Sequence, residues 1–115
     1  MIGIDIVSIN RIEKSINKFG DKAKNRFMTP TEQLNSKKTA SIAGIWASKE
    51  AFSKALGTGI GSEFSFLDIE ILKNQKGKPY INILNPKLKQ KLQNKQIDIS
   101  ITHDGGFAIS AIIIL

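Results

Sequence analysis

The segment from about Thr39 to Leu56 has the strongest helix pattern in the chain. It is rich in alanine, and Gly57 follows it at the position where helices often end on a left-handed glycine. Short helical patterns precede this segment and strand patterns follow it, while an isoleucine-rich strand is predicted from Ile2 to Ile9. This order predicts the α+β class, with a mostly antiparallel sheet packed against one long helix and several short ones.

The rest of the first half is also predicted to be helical. A basic stretch from Ser8 to Phe27 carries apolar residues at helical spacing and is interrupted at Gly20. Thr29 is expected to be the N-cap of a further short helix, with Glu32 as its partner in a capping box.

The second half reads as strands separated by turn signals. A turn is expected at His103–Gly106, and Asn85 can cap a short helix. The predicted strands are Phe66 to Leu72, Pro79 to Leu84, Ile97 to Thr102 and Phe107 to Leu115. No linker is visible within the 115 residues, so residues 1–115 are expected to form one domain.

The net charge of +7 indicates an anionic partner. The pattern matches no known nucleic-acid module, and lysine, which supplies nearly all the positive charge, reads bases less well than arginine. We therefore expect an acidic protein or a phosphorylated small molecule rather than nucleic acid.

The composition also bounds the chemistry and the location of the chain. Without cysteine there is no disulfide, thiol nucleophile or zinc–cysteine site. The N-terminus lacks a signal-peptide pattern, and the apolar run from Ala111 to Leu115 is too short to span a bilayer. We expect a cytoplasmic protein that does not enter a membrane.

Asp5 and Glu50 are candidate metal ligands. A carboxylate inside an apolar strand, such as Asp5, is costly unless something compensates it. Mg²⁺ typically takes one or two carboxylates and completes its octahedron with waters and substrate phosphates. The simpler alternative is an exposed aspartate at a strand end and a solvated helical glutamate.

Lys54 follows Glu50 by four residues, so both lie on one face of the helix. A surface ion pair, worth about 0.3–0.5 kcal/mol, would explain this spacing. Alternatively, Lys54 directs its ammonium at a phosphate that Glu50 engages through a metal, as phosphoryl-type transfer requires. The spacing leaves both interpretations open.

Two further features have both a plain and a functional interpretation. His103, the only histidine, is either polar surface or a group that binds a phosphate or shuttles a proton. Arg11, Lys14 and Lys18 belong to the densest basic stretch, which is either a solvated helix face or a docking surface for an acidic helical partner.

Taken together, three segments resemble the holo-[acyl-carrier-protein] synthase family, the short bacterial 4′-phosphopantetheinyl transferases. Their order and the chain length match the family across essentially the whole sequence, and the middle segment is the most specific. The segments are Ile2 to Val7 with Arg11-Ile12, Trp46 to Ile60, and Ile99 to His103 with Phe107-Ala108.

The resemblance implies a set of roles. Asp5 and Glu50 match the family's Mg²⁺ ligands, and Lys54 matches the lysine that contacts the phosphates of coenzyme A. His103 and Gly57 match positions near the coenzyme A site. The basic helix with Arg11, Lys14 and Lys18 matches the surface that docks the acidic acyl carrier protein.

The resemblance also implies a reaction: a serine of the carrier protein attacks the β-phosphate of coenzyme A and releases 3′,5′-ADP. The base is either Glu50 or a metal-bound water held by Asp5. The implied setting is fatty acid biosynthesis, a branch of lipid metabolism, and the implied assembly is a homotrimer with active sites between subunits. Ile45 departs from the pattern, since many relatives carry arginine there.

Two functions of other classes compete with this one. The first is a basic module that binds acidic proteins or RNA and performs no chemistry. The second is another Mg²⁺-dependent enzyme that acts on a phosphorylated metabolite without a protein acceptor. The long match around Glu50 and Lys54 weighs against both.

Overall fold

The computed structural model describes residues 1–115 and contains five strands and five α-helices. The strands are β1 (Ile2–Ser8), β2 (Ile69–Lys73), β3 (Pro79–Ile83), β4 (Ile97–Asp104) and β5 (Phe107–Ile114). The helices are α1 (Ile9–Phe19), α2 (Asp21–Phe27), α3 (Pro30–Asn35), α4 (Thr39–Leu56) and α5 (Pro86–Lys91). The predicted α+β class is confirmed.

The strands form two antiparallel sheets. One has the order β1-β5-β4, and the other consists of β2 and β3. In the three-stranded sheet Asp5 pairs with Ser110, which pairs in turn with Ile101 on the far strand. Because side chains alternate between the faces of a sheet, these three residues point to the same face.

Helix α4 packs against that face. Gly3 allows the close approach, since a Cβ built on it would lie 1.9 Å from the Ala51 carbonyl oxygen. At the other end of α4, a Cβ on Gly44 would lie 3.0 Å from Ile101. The core therefore lies between α4 and the sheet, with Phe52, Ile112 and further apolar side chains fully buried.

The predicted signals for the start of α3 and the end of α4 are confirmed. Thr29 and Glu32 form the expected capping box at the start of α3, and Gly57 closes α4 with a φ of 81°. Such a left-handed conformation is costly for a residue with a Cβ, which explains the glycine.

Three of the predicted boundaries that differ from the structure have a clear physical cause. Phe66 does not start a strand, because Ser65 and Asp68 form a capping box around a single 3₁₀ turn and β2 begins only at Ile69. Ile9 starts α1 instead of extending β1, since the Ser8 hydroxyl accepts the Arg11 N–H. Strand β4 continues through His103 to Asp104, so the turn consists of two glycines with positive φ rather than four residues.

Candidate active site

Asp5 lies in β1 on the sheet face that α4 covers. Its neighbours Gly3 and Val7 on this face are buried, whereas Ile4 and Ile6 project from the opposite face. The Asp5 side chain is only 14% exposed, although it carries a charge. Placing it there is costly unless a cation lies beside it.

That cation is Lys54, one turn from the end of α4. Its Nζ lies 2.9 Å from Asp5 Oδ1 and donates a second hydrogen bond to the Ile4 carbonyl oxygen, at 3.2 Å. The ion pair between Glu50 and Lys54 that the helical spacing suggested does not form. The Lys54 side chain is 52% exposed, so its ammonium remains open to a substrate.

Glu50 completes the cluster. Partial burial raises the pKa of Glu50, and the nearby charge of Asp5 raises it further, against the opposing effects of Lys54 and Arg11. Two carboxylates that repel each other in a half-buried site favour a cation between them. The structure thus brings together the three residues that the sequence analysis proposed as the reactive group.

The donor set was compared with what Mg²⁺ requires. The chain has no group of three or more histidine, aspartate or glutamate side chains that would hold a metal unaided. Asp5 and Glu50 instead offer two oxygen ligands, and Mg²⁺ is commonly bound in this way when substrate phosphates and waters supply the rest. The residues present fit that mode of binding.

His103 lies away from this cluster, beside the N-terminal part of α4. It shares the sheet face of Asp5, two strands across, which corresponds to roughly 10 Å laterally. There it lines a cleft of about 560 Å³ together with Ser41 and Ile45 of α4. The cleft also contains Lys37, Lys38 and Lys73, so it is suited to an anionic ligand.

Gly57 has a defined structural task. Its N–H donates to the Lys54 carbonyl oxygen, and the N–H groups of Thr58 and Gly59 both donate to the Ser53 carbonyl oxygen. These bonds end α4 directly after the turn that carries Lys54. Contact of Gly57 with coenzyme A stays a prediction.

The basic stretch is divided between two helices that enclose a pocket of about 290 Å³. Arg11 of α1 and Lys22 and Arg26 of α2 contribute its positive charge, while Phe19 and Trp46 belong to its apolar lining. Lys14 and Lys18 are exposed on α1 and do not line the pocket. The Lys18 ammonium lies 5.2 Å from the centre of the Phe19 ring.

Aromatic packing forms the inner wall of this pocket. Phe27 meets Trp46 edge-on with ring centres 5.1 Å apart, and Phe66 lies behind Trp46 at 4.7 Å. The Arg11 guanidinium lies 6.0 Å from the Trp46 ring centre. The pocket has no signature in the sequence, because the bend at Gly20 that sets α2 against α1 carries no directional signal.

A buried ion pair was also missed. Lys49 and Glu32 are both fully buried, with Lys49 Nζ 2.7 Å from Glu32 Oε1. The one available signal was position: Lys49 stands within the otherwise apolar, alanine-rich part of α4. That signal did not identify Glu32 as its partner.

Comparisons with known proteins agree on one family. A family model described as the 4′-phosphopantetheinyl transferase superfamily matches residues 1–112. A protein of Nautilia profundicola named holo-[acyl-carrier-protein] synthase is 63% identical over 115 residues, which is all of this chain and 99% of the relative. A namesake from Campylobacter hominis is 54% identical over 120 residues, covering 99% of this chain and 96% of the relative.

Solved structures give the same result. The Helicobacter pylori holo-[acyl-carrier-protein] synthase in complex with coenzyme A superposes with a TM-score of 0.90 at 50% identity, covering 100% of both chains. A holo-(acyl-carrier-protein) synthase from Bacillus anthracis in complex with CoA (3′,5′-ADP) has a TM-score of 0.81 at 39% identity, covering 98% of this chain and 93% of that one.

Proposed function

The chain belongs to the 4′-phosphopantetheinyl transferase superfamily as one of its holo-[acyl-carrier-protein] synthases, and on this basis we propose that it transfers 4′-phosphopantetheine from coenzyme A to a serine of apo acyl carrier protein. The observation that carries the proposal is the meeting of Asp5, Glu50 and Lys54 at one end of α4. Residues that lie 49 positions apart in sequence form one half-buried anionic cluster with an exposed cation beside it.

The proposal includes Mg²⁺, held by Asp5 and Glu50. When bound, the ion supplies positive charge that offsets the negative charge developing on phosphate oxygens. The support for it is the pair of carboxylates: burial raises the pKa of Glu50, and repulsion from Asp5 raises it further. A bound cation offsets this repulsion and favours loss of the Glu50 proton.

In the transfer itself, the serine oxygen of the carrier protein forms a bond to the β-phosphorus of coenzyme A. The bond from that phosphorus to the oxygen of the leaving 3′,5′-ADP breaks. Either Glu50 or a water held by Asp5 accepts the serine proton. Lys54 stabilises the negative charge that spreads over the phosphate oxygens, because its ammonium is half-exposed and held at the site by Asp5.

We assign coenzyme A to the surface that runs from Lys54 and Gly57 at the C-terminal end of α4 to His103 beside its N-terminal part. The support is the cleft beside His103, whose volume lies in the usual range for small-molecule sites and whose lysines suit an anion. Ile45 lines this cleft as an apolar residue, so positive charge there comes from the lysines.

We assign the acyl carrier protein to the pocket between α1 and α2. Three cations surround an apolar floor there, which suits an acidic helix that inserts a few apolar side chains. Arg11 belongs to this docking surface in our proposal, with Lys14 and Lys18 extending it along α1.

We further propose that the chain assembles as a homotrimer. The face of the three-stranded sheet opposite α4 is apolar and open to solvent, with Ile2, Ile4 and Ile6 all more than half exposed. Phe107 and Ile113 of β5 extend this face. A second and third copy of the chain would cover it, since exposed apolar patches commonly mark contact surfaces.

The proposed setting is fatty acid biosynthesis in the cytoplasm. The support is the proposed acceptor, acyl carrier protein, for which the 63%-identical relative is named. None of the helices has both the length and the apolar character needed to cross a membrane.

Intact-protein mass spectrometry tests the reaction. Apo acyl carrier protein is incubated with this chain, coenzyme A and Mg²⁺, and we expect a mass gain of one phosphopantetheine that EDTA and Glu50→Gln abolish. Glu63→Gln, at an exposed glutamate in the loop after α4, is the matched control and should transfer normally.

Other outcomes would contradict the proposal. A folded sample that binds coenzyme A but modifies none of several carrier proteins would indicate a binding module. Cleavage of coenzyme A without any protein acceptor would indicate a hydrolytic enzyme of the phosphorylated-metabolite class.

A further inference from the structure

The Lys49 ammonium lies inside the protein, and its contacts point away from the reactive cluster. Its side chain is fully buried, and its Nζ donates to the Phe27 carbonyl oxygen at 2.6 Å as well as to Glu32 Oε1 at 2.7 Å. Burial lowers the pKa of Lys49, while Glu32 acts against that shift. The next residue, Glu50, faces the active site, so neighbouring positions of α4 serve different regions.

The bond to Phe27 ends helix α2. Phe27 is the last residue of α2, where the final carbonyl groups have no partner within the helix. A lysine ammonium suits this end of a helix both as a donor and as a positive charge. Here the ammonium comes from α4, so one hydrogen bond sets the end of α2 relative to the long helix.

Glu32 fixes the ammonium in turn. Its Oε1 also accepts the Thr29 N–H at 2.9 Å, and its Oε2 accepts the Ile71 N–H at 2.7 Å. One carboxylate therefore ties α3, α4 and β2 together. Removal of either charge alone would leave the other buried without a partner.

The same geometry builds the wall of the pocket between α1 and α2. Phe27, whose carbonyl oxygen Lys49 binds, lines the pocket and packs edge-on against Trp46, one turn before Lys49 on α4. Lys22 and Arg26, the two cations of α2 that line the pocket, stand on the helix that this bond anchors. A change in the position of α2 would move the aromatic wall and two of the three cations together.

We propose that Lys49, with Glu32, is a positioning residue for carrier-protein docking: it holds the α2 wall of the pocket in place and touches neither substrate. The inference rests on the proposed function, because it assigns the pocket to the carrier protein. It predicts that loss of the buried pair weakens use of the carrier protein and leaves coenzyme A use and the transfer step intact.

The test uses the double variant Lys49→Met/Glu32→Gln. It removes both buried charges at once, so no buried charge is left unpaired and we expect the fold to persist. The amide oxygen at position 32 can replace only one carboxylate oxygen, so either the Thr29 N–H or the Ile71 N–H loses its acceptor and stability should fall. The KM for the carrier protein should rise about tenfold, because a displaced α2 wall no longer matches the docking partner. The KM for coenzyme A and kcat should change less than about twofold, since neither depends on the α2 wall.

Two further variants complete the design. Ile114→Val loosens the core at β5, far along the chain from α2, and should leave all three kinetic parameters unchanged although it lowers stability. Glu32→Gln alone keeps Lys49 and its bond to Phe27, and should raise the carrier-protein KM less than the double variant does. If the double variant does not fold, Lys49→Arg supplies the test: it leaves Glu32 with a cationic partner, and its bulkier head group should displace the Phe27 carbonyl and raise the carrier-protein KM.

Trp46 provides a readout that does not depend on transfer. It is the only tryptophan and contacts Phe27, so its near-UV circular dichroism reports the pocket wall directly. Hydrogen exchange at the Met28 amide, which donates to the Lys24 carbonyl oxygen, reports the end of α2. Both signals should change in the double variant and stay as in the wild type in Ile114→Val.

The outcomes separate the two proposals. A wild-type protein without transfer activity refutes the proposed function, while Trp46 and the Met28 amide still show whether Lys49 holds α2. Unchanged signals in a folded double variant would overturn the positioning role. A parallel loss of kcat, coenzyme A use and carrier-protein use would also overturn it, because the pair would then only maintain the fold.

Discussion

The Lys54 ammonium is half-exposed, although its partner Asp5 is mostly covered. A pair with one exposed member contributes little to stability, about 0.2–1 kcal/mol, because solvent screens it and the lysine loses rotamer freedom. The ammonium is therefore held at the site at small energetic cost and can still move towards a phosphate. The pair therefore compensates the burial of the Asp5 carboxylate but adds little to the stability of the fold.

For Lys54→Ala we expect a loss of transfer of about 10²–10³ in kcat, comparable with the removal of one group that stabilises transition-state charge. The melting temperature should fall only slightly, because the pair is worth little. Single-turnover mass spectrometry and a thermal melt measure the two effects. A variant that transfers at the normal rate would remove Lys54 from the mechanism.

Glu50 links the site to the pH dependence of stability. Since burial and Asp5 raise the pKa of Glu50 in the folded state, the fold binds this proton more tightly than the unfolded chain does. That contribution to stability is fully present below the pKa of an unfolded glutamate and is lost as the pH rises through the folded pKa.

We therefore expect Glu50→Gln to be more stable than the wild type at neutral pH in EDTA, with the difference vanishing in acid. Denaturant melts at several pH values measure this difference. Added Mg²⁺ should stabilise the wild type and leave the variant unaffected, because a bound ion favours the folded state. Equal stability of both proteins at neutral pH would show that ionised Glu50 does not destabilise the folded state.

At the scale of elements, α1 and α2 form a corner rather than one continuous helix. Gly20 between them has a φ of 59°, and its N–H donates to the Ile16 carbonyl oxygen. The corner places cations of both helices around one apolar pocket. If α1 and α2 formed one straight helix, these cations would be spread over an open helix face.

This corner predicts a difference between two basic residues of the same helix. Arg11→Glu should raise the carrier-protein KM by about tenfold or more, because it reverses a charge at the pocket. Lys14→Glu is the matched control: it makes a similar charge change on α1 outside the pocket lining, and should have a smaller effect.

Steady-state kinetics with varied carrier protein distinguish the two variants. The KM for coenzyme A should stay constant in both. Equal effects of Arg11→Glu and Lys14→Glu would show that docking depends on the overall charge of α1 and not on the pocket.

At the scale of the whole molecule, the three-stranded sheet has two unlike faces. The face towards α4 carries Asp5, Ser110 and His103, whereas the opposite face exposes isoleucines of β1 and β5. The β1 strand thus supplies an active-site carboxylate from one side and an apolar contact surface from the other. In the proposed trimer, β1 would take part in both the subunit interface and the active site.

We expect Ile2→Glu to shift the assembly from trimer to monomer, because it places a charge in the apolar face. Leu34→Glu is the matched control, since both side chains are 73% exposed and Leu34 lies on α3. Light scattering coupled to size-exclusion chromatography measures the mass of each variant. A trimer that tolerates Ile2→Glu would exclude this face as the interface.

Local patterns were sufficient for the class of fold and for most elements. The capping box at Thr29 and the left-handed Gly57 depend on residues within one turn of each other, so the sequence shows them directly. The same holds for the glycine turn before β5, although the sequence placed its start two residues early, at His103. Phe66 was assigned to a strand because of its apolar side chain. The capping box between Ser65 and Asp68, which places Phe66 in a 3₁₀ turn instead, does not show in a pattern of apolar residues.

The sequence alone determined the order and type of the elements, and it singled out Asp5, Glu50 and Lys54 as candidates. Only the tertiary structure decided which charges meet: Lys54 pairs with Asp5 rather than with Glu50 on its own helix. It also decided that Lys49 is buried against Glu32 while Lys54, five residues later on the same helix, is half-exposed. The physical reason is that propensities and caps act over a few residues, whereas burial and ion pairing depend on which distant segments the packing of α4 against the sheet brings together.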